Sequence, residues 1–190
     1  MFKKIDASDI AFFKEILGND CFTDSESILH YGHDETEDLN YPPEVVLRPS
    51  STKDVSRIMG YCHDKNICLT PAGARTGLSG GMLPIHGGVL LSTEKMDSIL
   101  EVDEKNHQVT CEPGVITEVL QNAVKEKGLF YPPDPASKGS CFIGGNVSEN
   151  SGGPKAVKYG VTKDYVLNLE VVLPTGEIIW TGANVLKNAT

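Results

Sequence analysis

The 190-residue chain carries 26 Asp and Glu against 17 Lys and Arg, a formal net charge of −9, with no Lys/Arg cluster. That excludes sequence-blind binding to DNA or RNA, which needs a basic footprint, and disfavours an anionic membrane surface. A single anionic small molecule remains open, because loop amides bind phosphate without net positive charge.

The N-terminal stretch "MFKKIDASDIAFFKEILG" is not a signal peptide, since Asp6, Asp9, Lys14 and Glu15 interrupt its apolar residues. Ile10, Phe13 and Leu17 fall at helical spacing, which predicts an amphipathic helix in a helical lead-in over residues 1–41. From about Pro42 the pattern becomes regular. "EVVLRP" reads as a short strand ending at Pro49. "SSTKDVSRIMGYCHDKN" reads as a helix capped by Ser51 or Thr52, with Val55, Ile58, Met59 and Cys62 on one face. "ICLTP" is a second strand, completing a βαβ unit that runs into a glycine-rich loop at the carboxyl end, where open α/β sheets bind ligands.

"GGVLLS" follows. "SILEVDEKNHQVTCEPG" then predicts a hairpin: Ile99 to Val102, a turn around Glu104–Asn106, and a strand from His107 to Glu112. "VITEVLQNAVKEKG" predicts a helix burying Val115, Val119, Leu120 and Val124, with Gly128 as its stop. Pro132, Pro133 and Pro135 hold "LFYPPDPAS" extended. "VLNLEVVLPTGEIIWTG" gives two strands joined by a Pro-Thr-Gly turn. The fold class expected is α+β, two small α/β lobes at about 42–98 and 99–190 flanking the glycine loops. The ending "TGANVLKNAT" has neither cap nor terminal helix, which suggests a piece of a longer protein. The five cysteines (Cys21, Cys62, Cys68, Cys111, Cys141) form no CxxC pair, so they read as reduced thiols of a cytoplasmic protein. No apolar run is long enough for a transmembrane segment.

Two segments, "PAGARTGLSGG" (71–81) and "CFIGGNVSENSGGPK" (141–155), concentrate glycine and small polar residues. Neither contains the GK[ST] of a Walker A loop, and "GARTGLSGG" lacks the GxGxxG spacing of a Rossmann turn. What remains is a backbone cradle in which consecutive amides converge on one anion. Thr76, Ser79, Asn146, Ser148 and Ser151 would add neutral hydrogen bonds. Two such loops, from separate lobes, suit an extended ligand with a diphosphate in its middle; the alternative is a pair of glycine-rich turns.

"PAGARTGLSGG", "EPGVITEVL", "YPPDPAS", "IGGNVSENSGGPKAVKYGVTKDYVLNLEVVLPTGE" and "TGANVLKN", in this order, closely resemble the FAD-binding domain of the vanillyl-alcohol oxidase/PCMH superfamily. The nearest branch is that of the glycolate oxidase D-subunit and D-lactate dehydrogenase, FAD-linked 2-hydroxy acid dehydrogenases. The resemblance runs from about Pro42 to the end and implies a PCMH-type FAD-binding domain over 42–190, incomplete at its C-terminus. It places Pro71, Ala72, Gly73, Ala74, Arg75, Thr76, Gly77, Leu78 and Ser79 around the FAD pyrophosphate. Pro133, Asp134 and Ser137 would pass near the flavin ring and ribityl chain. Gly144, Gly145, Asn146 and Val147 would form the second loop, with Asn150 and Gly153 close by. Tyr159, Gly160 and Val171 would lie toward the adenine.

The resemblance also implies noncovalent FAD. None of the five histidines falls in 71–81, where some members attach the flavin, and Thr76 takes the equivalent place. Cys141 reads as a packed thiol rather than a flavin link, His86 as a loop residue, and Asp134, between prolines, as a turn former. In this branch a hydride passes from the α-carbon of a 2-hydroxy acid to flavin N5. The histidine base, the carboxylate-binding arginines and a metal site belong to a later substrate domain that is absent here, so no catalytic residue and no metal ligand is expected in this chain, which alone should be inactive. An electron-acceptor partner, such as an iron–sulfur protein or a quinone, is implied for the full-length protein. Two other readings remain: the same domain serving a sugar lactone or UDP-sugar, or a non-catalytic flavin-binding module.

Overall fold

A computed structural model of the chain describes residues 2–183. The α+β expectation holds. Helix α1 (Ala7–Leu17) starts at a capping box, in which Asp6 accepts from the Ser8 and Asp9 amides and Asp9 accepts from the Asp6 amide. Strand β1 (Cys21–Phe22) and helix α2 (Ser25–His30) follow, then β2 (Val45–Leu47), α3 (Thr52–Lys65), β3 (Leu69–Ala72) and β4 (Val89–Ser92). These four strands form one sheet in the order β1-β2-β4-β3, parallel except for β1. Its central strands are covered on both faces, which is why "VVL" and "VLLS" are apolar without alternation. On one face Phe13, Ile58 and Cys62 from α1 and α3 pack against Val45, Leu47, Val89 and Leu91; on the other, Tyr31, Met82 and Leu83 pack against Val46 and Leu90.

The second half opens with the hairpin β5 (Ile99–Asp103) and β6 (Gln108–Cys111), whose turn is fixed by Asp103 accepting from the Lys105 and Asn106 amides. Val115, just before helix α4 (Thr117–Glu126), and Leu120 and Val124 on it pack on this hairpin, whereas Val119, expected to be buried with them, is exposed. Helices α5 (Ile143–Glu149) and α6 (Ala156–Tyr159) lead to a second hairpin, β7 (Glu170–Val172) and β8 (Ile178–Trp180). That hairpin docks on α3, where the Ser56 hydroxyl donates to the Gly176 carbonyl at 2.6 Å. The "TGANVLKN" part of the resemblance lies, from Asn184 on, outside the described residues. Among the described residues no helix is long and apolar enough to cross a membrane.

Ser51, not Thr52, caps α3, and Gly128 follows the last turn of α4 with φ +72°. Two elements differ from the expectation. The lead-in contributes a strand, β1, that pairs antiparallel with β2 and closes that edge of the sheet. The second glycine segment is a helix over Ile143–Glu149: despite poor helix propensity, it is anchored by Ile143 N donating to Val115 O and Gly144 N to Pro113 O.

Polar groups tie the lead-in down. Asp9, fully buried, accepts from the Lys3 ammonium and, at 2.9 Å, from the Tyr61 hydroxyl. Arg48 bridges Asp20 and Glu94, each at 2.8 Å, and Tyr31 donates to Glu94 at 2.8 Å. Burial and the Glu94 bond push the Tyr31 phenol up to about 12. Burial alone would raise Asp9, Asp20 and Glu94, but their cationic and hydrogen-bonding partners outweigh it and hold all three carboxyls below their ordinary values.

Two outcomes follow. A carboxyl held low in the folded state stabilises fully above its unfolded value and loses that contribution as pH falls through its folded one. The urea midpoint should therefore stay flat from neutrality to about pH 5 and fall below about pH 4, and Asp9→Asn should lower it at pH 7 while flattening the acid limb. A side chain on Gly176 would begin 2.6 Å from the Ser56 carbonyl oxygen, whereas Gly128 has nothing nearby, and both have positive φ. Gly176→Ala should cost on the order of 3 kcal/mol and Gly128→Ala about 1 kcal/mol in urea unfolding.

Candidate functional site

The chain leaves β3 at Ala72 and runs directly onto α5. A side chain on Gly73 would begin 3.9 Å from the Gly145 amide nitrogen and 3.9 Å from the Phe142 ring. The two glycine segments, far apart in sequence, thus form one surface at the carboxyl end of the parallel sheet. Ser79 spans the same gap, its hydroxyl 3.4 Å from the Glu149 carboxylate.

The surface is made of unused donors. Among the described residues, no backbone N–H from Gly73 through Ser79 donates to a protein acceptor, and neither does that of Gly145. Nothing lies within 4 Å of where a Gly145 side chain would stand, so that face of the residue borders open space. Residues 73–77 of this run are half-buried and Leu78 and Ser79 exposed, and amides without protein acceptors in such a place are an arrangement that an anion completes.

The cation of this segment is turned away from that role. Arg75, in the left-handed region at φ +62°, directs one guanidinium nitrogen to the His30 carbonyl and another to His30 Nε2 at 2.9 Å. Its guanidinium lies 4.5 Å from the Tyr31 ring centroid. Arg75 therefore braces α2 against the loop, and the amides are left as the positive surface. Pro71 and Ala72 belong to β3, pairing with Leu91 and Ser92; Ala74, Thr76 and Gly77 lie in the half-buried loop, and Leu78 is exposed.

Other residues singled out from the sequence make contacts within the protein itself. Gly144 packs on Pro113, where a side chain would begin 2.7 Å from the proline Cβ. Asn146, 2% exposed, donates to Thr117 Oγ1 at 2.6 Å. Val147 is half-buried in α5; Asn150 ends that helix in the left-handed conformation and accepts from the Lys163 amide. Gly153 presses so closely on the Asp134 carbonyl that no side chain could stand there. Gly160, at φ +81°, leaves room for the Asp164 carboxylate, which caps the Val161 amide.

The Pro-rich segment is held by the protein itself. Gln121 Nε2 donates to the Pro133 carbonyl at 2.7 Å, Asp134 pairs with Lys138 at 2.9 Å and Lys155 at 3.3 Å, and the Ser137 carbonyl accepts the Ser140 and Cys141 amides. Lys138, foremost, and Lys155 hold the Asp134 carboxyl below its ordinary value. Tyr159 meets Phe130 edge to face, and Val171 pairs with Ile179 in the β7–β8 hairpin. Cys141 is buried with Sγ 3.2 Å from Thr117 Oγ1, and the ring of His86 lies against Phe2. Gln121, Thr117 and Glu149 were not singled out from the sequence. Their helical positions give no signal beyond ordinary polar residues.

An FAD molecule fits this surface by donor chemistry: amides along Gly73–Ser79 and at Gly145 can carry a diphosphate's charge, and a bare glycine face admits it closely. The comparisons with known proteins agree. The chain is 45% identical to the glycolate oxidase subunit GlcD of Bacillus subtilis over 92% of its length and 37% of the relative's. It is 42% identical to a D-lactate dehydrogenase of Anaerostipes hadrus over all of its length and 40% of the relative's. The chain thus spans about two fifths of the length of the curated relatives it matches. At 21% identity, the structure of p-cresol methylhydroxylase with substrate bound superposes with a TM-score of 0.82, covering 96% of this chain and 37% of that one, which shows the shared fold. The family described as FAD binding domain matches residues 43–182, and the chain belongs to it.

Proposed function

We propose that this chain is the FAD-binding part of an FAD-linked oxidoreductase that oxidises a 2-hydroxy acid of the glycolate or D-lactate type. The observation that carries the cofactor's position is the run of unused amides from Gly73 to Ser79, joined by that of Gly145. The substrate class is supported by the two relatives, whose printed names are a glycolate oxidase subunit and a D-lactate dehydrogenase. When bound, FAD supplies a hydride acceptor at flavin N5.

The chain's own residues bind and orient. The Gly73–Ser79 and Gly145 amides neutralise the diphosphate; Thr76 and Ser79 add neutral hydrogen bonds; Asn146 and Gly144 fix α5 so that the Gly145 amide keeps its direction. On this reading the Pro133–Ser137 segment would pass near the flavin, and Tyr159, Gly160 and Val171 would lie toward the adenine. FAD is held noncovalently, since the Cys141 thiol is buried against Thr117. The general base and carboxylate-binding groups come from outside this chain, which by itself oxidises no 2-hydroxy acid. Five free cysteines support a reducing, cytoplasmic setting.

The test is flavin absorption of the purified chain after adding FAD and desalting, then again after acid precipitation. Retained flavin that acid releases is the expected result; colour left in the pellet would refute noncovalent binding. No flavin on a chain folded by circular dichroism would refute the placement of the cofactor. Gly145→Ala separates fold from site: with open space at its Cβ it should stabilise α5 by up to about 1 kcal/mol, yet weaken FAD at least roughly tenfold, about 1.4 kcal/mol, in a fluorescence titration.

A further inference from the structure

Behind the first glycine loop lies a second polar feature that the amide cradle does not use. The segment after α2 is strapped to the loop by the Glu35 amide, which donates to the Gly77 carbonyl at 3.1 Å. Asp34, on that segment, is only 7% exposed. Its Oδ1 accepts from the Thr36 amide at 2.9 Å, whereas its Oδ2 is out of reach of solvent and has no partner. The hydroxyl of Thr36 is likewise inaccessible and unpartnered. Two orphaned oxygens, two residues apart, thus sit beside a run of amides that has no acceptors.

Gly77 is the cradle residue nearest to the carboxylate: a side chain there would begin 4.0 Å from Asp34 Oδ2, at van der Waals contact, so the orphaned oxygen packs directly beneath the loop. No lysine, arginine or histidine among the described residues pairs with this oxygen, and the neighbouring Arg75 is committed to His30. A sequestered carboxylate oxygen with nothing to accept from is unfavourable in the free protein, and a donor brought by a ligand removes that penalty.

From this we infer that Asp34 Oδ2, assisted by Thr36 Oγ1, binds a neutral hydroxyl or N–H donor of the FAD at the flank of its diphosphate. The inference rests on the FAD reading above. The chemistry excludes the phosphates themselves as the partner of Asp34, because two anions without an intervening cation repel. A dinucleotide offers the complementary groups on both sides of its diphosphate, as ribose and ribityl hydroxyls and ring N–H groups. The amides of the loop would hold the charge, and the carboxylate behind it would select for the sugar or ring that the charge is attached to. Free diphosphate, which lacks those donors, would gain nothing from Asp34.

Asp34→Asn, Asp34→Ala and Thr36→Val should be compared with the unaltered chain by FAD fluorescence titration, pyrophosphate competition and urea unfolding. The expected result is an FAD dissociation constant raised about tenfold for both Asp34 variants and a few-fold for Thr36→Val. Pyrophosphate affinity should be unchanged or improved, and the urea midpoint of Asp34→Asn unchanged or higher, because an unpartnered charge has been removed. Loss of ADP affinity in parallel would put the donor on the adenosine ribose, and unchanged ADP affinity would put it on the flavin side. FAD binding unaltered in both Asp34 variants would overturn the inference while leaving the FAD reading intact. So would a lowered urea midpoint with equal losses for FAD and pyrophosphate, the signature of a residue that only shapes the loop. An unaltered chain that binds no FAD would overturn both.

Discussion

Backbone touching backbone is the constraint on which this molecule depends. At Gly73 the first loop comes up to the Gly145 amide, at Gly144 α5 meets Pro113, at Gly153 the chain lies on the Asp134 carbonyl, and at Gly176 the last hairpin lies on α3. Each contact joins segments distant in sequence; at Gly144, Gly153 and Gly176 a methyl group would clash, and at Gly73 it would fill the remaining gap to van der Waals contact. Glycine is usually a liability in ordered structure because of the entropy lost on fixing it. Here that cost is offset by the closeness it allows, and the closeness brings two sets of amide donors to one place.

Much of this was legible in the sequence. The alternation from the "VVL" strand through the Ser51-capped helix to "ICLTP" is a regular βαβ signal, and Gly128 and the Asp103 turn sit where turn chemistry puts them. The glycine segments were visible as small-residue runs. Their meeting was not, since no local pattern encodes which of two distant loops will touch.

What escaped has physical reasons. Strand β1 is two residues long, too short for any periodicity, and exists only because β2 offers it an edge. Helix α5 contradicts its own propensities and is imposed by tertiary hydrogen bonds from Val115 and Pro113. The resemblance placed Arg75 in the loop around the pyrophosphate, and no sequence pattern announces that its guanidinium meets His30 and Tyr31. Asp34 carries no signal of its own within the acidic stretch "GHDETED", and its burial comes from the packing of that segment against the first glycine loop.

The bracing of the first glycine loop by α2 bears on what counts as the smallest unit able to fold. The family match begins at residue 43, but β1, the Asp9 carboxylate that accepts from Tyr61 and the His30 group that receives Arg75 all precede it. A chain trimmed to the matched stretch would keep every glycine of the cradle and lose its backing. It would expose one edge of the parallel sheet to pairing with other chains and uncover the Phe13 side of the core. The lead-in is thus part of the packing behind the first glycine loop, and the family match begins inside a single packed sheet.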